Sequence, residues 1–474
     1  MPYYKIISAA VDTFKQNLTI FCQNNPECFD RLDEETFHTV TSAIMNACQS
    51  AGKAGLEMYL NQNDTRSPAI VKNGKTYRYK GVSRNDILTL MGNISVKRTM
   101  YYDEHNGGEY LFPLDNALGL CKDDFATLET REMILYASSC CIPKELEQLL
   151  KKFSMCKPSR TAIQNIINKD GRCMEDLREE IADTILSNHQ IPAQTKAVVT
   201  SLDGVNVLLN EPGKKKGRKN LRPGTNATNE SPTSYHNAMV GSVSFYGTDT
   251  DNDPLRYSSI YTARMPEEKS LTFKYDFERM LADMQHKIAA YDKPVSKILL
   301  TDGHLMIKGF ARQSSILKEF EPLIDFFHTA EHLSKAAEAM YGQKTDKAQW
   351  WYWKWYKALK KKDTAAHSIV RLMKSYKLRH KLSAKRIKDL KTEITFFSKN
   401  KHLMKYAEFK QRGLPIGSGP IEAAAKSIVK QRMCRSGMRW SREKGQYVLT
   451  VRAMVKSDYW DQAWKVYKIL KKAA

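Results

Sequence analysis

The chain predicts an α/β fold: a mixed five-stranded sheet with an all-α module inserted into it, preceded by a mainly helical N-terminal region. Three observations carry that expectation. Short β-branched runs at 197–208, 236–246, 255–263, 296–301 and 322–328 read as strands, with helical spacing over 270–291 and again before the last run. Residues 329–412 hold strong helix formers, almost no Gly or Pro, and the aromatic cluster Trp350, Trp351, Tyr352, Trp353, Trp355 and Tyr356. Before residue 65, apolar positions such as Phe14, Leu18 and Phe21, then Phe37, Val40 and Ile44, recur at helical spacing.

In chain order, residues 1–70 form a helical arm, suited to dimerisation. A small β-containing module follows at 71–125, where Tyr77-Arg78-Tyr79 and Ile94 to Tyr102 alternate around a Gly92-Asn93 turn. Residues 126–192 read as helical: Leu128 to Ser139, Pro143 to Phe153, and a third helix opened by a Ser159 cap. That spacing fits a helix-turn-helix, in which Arg160, Thr161, Gln164 and Asn165 face a DNA groove, or an ordinary helical linker between domains.

The sheet follows, its first part at 193–328, the basic all-α insertion at 329–412, and C-terminal core helices at 413–474. The order βββαβαβ is that of an RNase H-like core, whose first and fourth strands lie side by side. Asp203, in Thr-Ser-Leu-Asp-Gly, and Asp302, in Leu-Leu-Thr-Asp-Gly, would then be neighbours at strand ends, each followed by a Gly that permits a tight turn. Glu422 opens a helix after Gly417-Ser-Gly-Pro-Ile, where it would point back at the sheet. About 120 residues separate Asp302 from Glu422, far more than one connection needs, hence the inserted module.

Magnesium takes hard oxygen ligands and keeps several waters, so two or three carboxylates suffice for two Mg2+ or Mn2+ ions in phosphoryl transfer. Each acid also has an ordinary reading: an Asp before Gly as a turn residue, and Glu422 as a first-turn acid paired with Lys426.

Charge points the same way. Lys and Arg number 75 against 52 Asp and Glu, a formal +23, which implies a polyanionic partner held through phosphates. Residues 344–412 alone carry 21 basic and five acidic side chains, making the insertion the main contact, with Lys360, Lys361 and Lys362 prominent. Its tryptophans read as helix packing more than base stacking. Between the first two strands, a Gly- and Pro-rich stretch holds Lys214 to Lys219, with Lys215 and Arg218 placed for DNA backbone unless the loop is merely solvated. Lys426 and Lys430 fall on the Glu422 helix at i to i+4 steps, and Arg432, Arg435 and Arg439 lie just beyond it. Nine scattered cysteines with no C-x-x-C read as reduced thiols. No run of about 18 apolar residues is present, and the start lacks the apolar core of a signal peptide. The expectation is therefore a cytoplasmic, nucleoid-associated protein with no membrane contact.

With the two Asp-Gly pairs, Gly417-Ser-Gly-Pro-Ile-Glu422 and the run Gln431-Arg-Met-Cys-Arg-Ser-Gly-Met-Arg-Trp440, the chain resembles the bacterial insertion-sequence DDE transposases, specifically the Kra-type group. The likeness extends through Phe112-Pro-Leu-Asp, Asp325-Phe-Phe-His328, Glu331-His332-Leu333 and the C-terminal Trp460 and Trp464, over roughly residues 75–470. It implies Mg2+-dependent cleavage at element ends, strand transfer into target DNA by the freed 3′-hydroxyl, and Asp203, Asp302 and Glu422 as the three acids. The partners are transposon-end and target DNA and a second copy of the chain, as a homo-dimer. Relatives often carry a cysteine-rich, zinc-type knuckle before Phe-Pro-Leu-Asp; this chain has Tyr101 to Tyr110 without cysteine there, so no zinc is expected. The Asp325-x-x-His328 pattern recurs in such enzymes at the strand end before the insertion, where His328 orders the site or flanking DNA, or simply caps the insertion.

Overall fold

The structure, a computed structural model, describes residues 3–103, 108–121, 123–210, 235–303, 305–417 and 419–473. Contacts gather the chain into two compact units, one of residues 1–171 with 471–474 and the other of 172–470. The first three segments read from the sequence fall mostly in the first unit. The boundary lies inside the 126–192 region.

The first unit begins with a helical hairpin, α1 (Tyr3–Asn24) and α2 (Glu34–Asn63). Asp33 starts α2 through a capping box: its carboxylate accepts the Thr36 backbone N–H at 2.9 Å, and the Thr36 hydroxyl accepts the Asp33 N–H at 2.9 Å. An antiparallel sheet follows in the order β1 (Ala69–Lys72), β2 (Lys75–Thr89), β3 (Gly92–Asp103), β4 (Glu109–Leu111). Its central hairpin turns at Leu90-Met91, two residues before the expected Gly92-Asn93, because Gly92 and Asn93 already pair with Thr89 and Leu88 as the start of β3. Then come α3 (Pro113–Ala117), α4 (Leu128–Ser138), α5 (Pro143–Phe153) and α6 (Arg160–Asp176), whose start is capped by the Ser159 hydroxyl accepting the Ala162 N–H at 3.2 Å. A buried ion cluster holds this unit together. Arg131 pairs with Asp170 and, at 2.7 Å, with Asp124; Lys471 from the far end of the chain reaches Asp170 at 3.3 Å and Asp124 at 3.6 Å.

The second unit is built on a five-stranded mixed sheet of order β7-β6-β5-β8-β9, with many helices. After α7 (Arg178–Asn188), strand β6 (Tyr235–Thr248) runs antiparallel to both β5 (Ala197–Leu208) and β7 (Pro254–Arg264). Next come α8 (Leu271–Ala289), β8 (Ser296–Thr301), α9 (Leu305–Gln313) and β9 (Glu321–Ile324), with β8 parallel to both β5 and β9. Alternation along β5 and β8 separates two cores. Val198, Leu202 and Leu299 meet Phe273, Phe277 and Leu281 of α8 on one face. On the other face, Ala197, Val199, Ile298 and Leu300 meet the helical insertion, α10 (Phe326–Tyr341), α11 (Asp346–Leu359), α12 (Ala365–Arg379), α13 (Ala384–Asn400) and α14 (Tyr406–Gln411). The chain continues through α15 (Gly419–Ala424), a π-helical turn (Ala425–Lys430), α16 (Gln431–Met433), α17 (Arg442–Lys456) and α18 (Trp460–Ala473).

The last strand is shorter than the sequence reading. It ends at Ile324, because the Asp325 side chain accepts the His328 backbone N–H at 2.5 Å and so caps α10; Asp325 to His328 belong to the helix start. Among the described residues no helix is long and apolar enough to cross a membrane.

Candidate active site

β5 and β8 stay paired as far as Ser201 opposite Leu300. Two residues further along each chain come Asp203 and Asp302. Since Ala197, Val199, Ile298 and Leu300 line the core beneath the insertion, Asp203 shares their face by alternation, and Asp302 follows one residue after β8 ends. The two acids feel each other. Burial raises the Asp203 pKa and the Asp302 charge adds to the rise, while the Gly204 N–H, Lys430 and His328 oppose it.

Only Asp302 sits at a strand end as expected. Gly303 turns the chain there at φ +85°, and a side chain on it would press on Ile324 at 3.2 Å. Asp203 lies within β5, which continues to Leu208 because residues 204 to 208 keep pairing with β6. What ends beside Asp203 is its neighbour β8.

His328 is tied into a chain of groups that runs into the insertion. Its Nε2 lies 3.2 Å from Nε2 of His332, whose Nδ1 lies 2.6 Å from the buried Glu393 carboxylate. The His332 ring is stacked on Phe396 with centroids 3.6 Å apart. Burial lowers the His328 pKa and His332 lowers it further, against Asp302, so His328 is held neutral near pH 7. Glu393 accepts the Nδ1–H of His332. Nε2 of His332 and Nε2 of His328 then share one hydrogen bond, which fixes the two rings against each other. Lys308 of α9 completes the surroundings of Asp302: burial and Arg312 lower its pKa, Asp302 raises it, and its ammonium donates to Asn400.

Glu422 is exposed on α15, a helix in contact with β5 and β6. The turn leading to it is clamped against the start of α10. The Phe326 N–H donates to the Ile416 carbonyl at 2.9 Å, and a Cβ on Gly417 would lie 2.5 Å from the Phe327 ring, so only glycine fits. The π-helical turn alters what the sequence suggested for the next cations, because its repeat is i to i+5 and breaks the i to i+4 stack of Glu422, Lys426 and Lys430. Lys426 and Lys430 are exposed, and the Lys430 charge still reaches Asp203. Arg435 is exposed and Arg439 half-buried. Arg432, expected at the surface, is instead buried with its guanidinium 4.9 Å over the Trp440 ring, which makes it a packing cation.

Carboxylate oxygens are the donors Mg2+ or Mn2+ prefer, and Asp203 and Asp302 fit that chemistry. Among the described residues, however, no three His, Cys, Asp or Glu side chains gather closely enough to hold an ion. The structure brings two of the three expected acids together and leaves Glu422 on the neighbouring helix.

Of the other expected DNA contacts, Lys361 and Lys362 are exposed on the insertion. Lys360 is not free for phosphate: its ammonium lies 4.7 Å over Phe326 and 4.6 Å over Tyr356 and donates to the Tyr356 hydroxyl at 3.2 Å. Trp351 is buried in the core, whereas Trp350 and Trp353 are exposed, so the aromatic cluster is divided between the two readings. Arg160 is exposed and pairs with Glu147 of α5 at 3.4 Å; Gln164 donates to Asn168 at 3.0 Å. Lys215 and Arg218 lie outside the described residues. A cavity of about 130 Å³ sits on the opposite face of the sheet from the acids, where Arg178 and Arg264 pair with Asp276 and Arg279 pairs with Glu179 and Asp183. It belongs to scaffold packing.

Sequence reasoning missed Lys308, Glu393 and the role of His332. Glu393 carried a signal: it is one of only five acids in the basic stretch 344–412. No protein-family model and no curated protein matches the chain.

Proposed function

We propose that this chain is a DDE transposase with an RNase H-like core, which binds the ends of an insertion sequence and catalyses cleavage and strand transfer. The observation that carries the reading is the pair Asp203, on β5, and Asp302, just past the end of the adjacent parallel strand β8, in a sheet ordered β7-β6-β5-β8-β9. Strand order and directions are those the RNase H-like reading requires. Asp203 and Asp302, with Glu422 from α15, would hold two Mg2+ or Mn2+ ions. Such ions neutralise charge at the scissile phosphate and lower the pKa of an attacking water or 3′-hydroxyl.

The chain's own groups do the positioning. Lys308 and Lys430 offer ammonium groups beside the acids, where phosphate oxygens would pass. Asp325 fixes the start of α10, and the Glu393–His332 pair orients the ring of His328. Lys361 and Lys362 belong to a basic surface suited to duplex backbone.

The test uses the full chain with a plasmid carrying the DNA that flanks its gene on both sides, in Mg2+. Nicking and joining are expected, with Asp302→Asn and Glu422→Gln each lowering both by at least about a thousandfold, some 4 kcal/mol of barrier. End binding should survive. Cleavage that persists in Asp302→Asn or in excess chelator overturns the proposal, and nicking without joining points instead to an RNase H-like nuclease.

A further inference from the structure

The run His328-Thr-Ala-Glu331-His332 on α10 has the spacing His-x-x-Glu-His, which puts two imidazoles on one face of a helix, a turn apart. The same spacing holds zinc in one class of metalloproteases. Here the geometry goes further than the spacing. Nε2 of His328 and Nε2 of His332 stand 3.2 Å apart. Two nitrogens bound to one tetrahedral zinc at about 2.0–2.1 Å each stand about 3.3–3.4 Å apart, so a shift of about 0.2 Å seats one ion on both.

Glu393 of α13 supplies what a metal-bound histidine needs behind it. Its carboxylate, on a side chain only 6% exposed, lies 2.6 Å from Nδ1 of His332. A carboxylate on the Nδ1–H leaves Nε2 as the ligating nitrogen, fixes the ring and raises its basicity. Phe396, stacked on the same ring, holds its plane. A buried carboxylate is costly as packing alone, and this one is paired with an imidazole in a module rich in lysine. Burial also keeps the His328 imidazole uncharged, which is the form that binds a metal.

We propose that His328 and His332 bind a Zn2+ ion, with Glu393 as the carboxylate behind His332 and with water or a phosphate oxygen in the remaining positions. Two protein nitrogens leave the ion open, unlike a closed structural site. Imidazole nitrogen selects Zn2+ over the Mg2+ that the carboxylates of Asp203 and Asp302 suit. The site is distinct from a cysteine knuckle, since no thiol takes part.

The test titrates Zn2+ against the full chain in excess Mg2+, with a chromophoric chelator as competitor, and reads the zinc environment by X-ray absorption. Wild type is expected to bind one Zn2+ more per chain than His328→Ala/His332→Ala, with imidazole nitrogen at about 2.0–2.1 Å. Glu393→Gln keeps an acceptor for the Nδ1–H but not the charge, and should weaken the site about 10–100-fold. Asp203→Asn/Asp302→Asn should retain it. If the alanines disturb folding by circular dichroism, His332→Gln, which keeps the bulk and loses the ligand, must still lower affinity at least about tenfold. Equal zinc in wild type and folded histidine variants, sulfur at about 2.3 Å in place of imidazole, or a site lost with the aspartates, overturns the assignment. Unchanged affinity in Glu393→Gln removes Glu393 from it. No DNA is present and nothing is cleaved, so the outcome is independent of the transposase reading.

Discussion

The N-terminal hairpin and the helical insertion are both all-α, yet they distribute charge and apolar surface in opposite ways. The insertion buries Trp351, Ile369, Phe397 and Phe409 and carries 21 basic against five acidic residues over 344–412. The hairpin shows its apolar residues to water and is net acidic. Helical periodicity looks alike in both. What separates them is where the apolar stripe ends up.

Truncation should expose that contrast most strongly. Trp351→Ala is expected to cost about 3–5 kcal/mol in urea unfolding, because it empties a filled core, whereas Trp350→Ala, and Ile7→Ala in dilute protein, should stay within about 0.5 kcal/mol. If Ile7→Ala proved as costly as Trp351→Ala in the monomer, the hairpin stripe would already be covered and the comparison would fail.

The charge half of the contrast is open to salt titration. Lys361→Gln/Lys362→Gln should flatten the slope of log affinity against log salt for any duplex by about 1.8 and weaken binding roughly 10–30-fold at 0.15 M salt. Lys5→Gln/Lys15→Gln in the hairpin should change neither. Equal effects from the two pairs would mean that both regions touch DNA.

The smallest effect belongs to the carboxylate pair just past the point where β5 and β8 stop pairing in the five-stranded sheet. Burial, reinforced by Asp302, raises the Asp203 pKa, so the ionised form opposes folding. Asp203→Asn keeps an acceptor for the Gly204 N–H and, without divalent ions, should raise Tm by about 2–4 °C at pH 7. The gap has a definite pH dependence. Between the ordinary aspartate value and the raised one, the folded protein holds the proton better than the unfolded chain, so wild type gains on the variant as pH falls through that window. A gap that widens on acidification would show that Asp203 is stabilising when charged.

Local pattern was legible where packing follows directly from it. Strand β8 runs from Ser296 to Thr301 as read, and Ser159 caps α6 as read. Pattern failed where tertiary contacts override it. The run 197–208 is a strand as read, yet Asp203-Gly204 within it is not the strand end it was also read as, since β6 keeps pairing on to Leu208. Phe326-Phe327-His328 reads as strand, yet the Asp325 cap converts it to helix. Arg432 reads as a surface cation, but Trp440, eight residues on, folds back over it. At the site, Asp203 and Asp302 were visible because each follows a strand-like run. The Glu393–His332–His328 chain was not, since it joins residues 61 apart through helix packing alone.

The ion cluster around Arg131 has a consequence for how the molecule is made. Lys471 supplies one of its cations, so residues 1–171 leave the ribosome with Asp124 and Asp170 lacking a partner that arrives about 300 residues later. Synthesis order and completion order therefore differ: the unit started first is finished only after the intervening unit has been translated. The polypeptide also crosses between the units twice, near 171 and near 470, and a single proteolytic nick within residues 172–470 would leave each half still carrying one of those crossings.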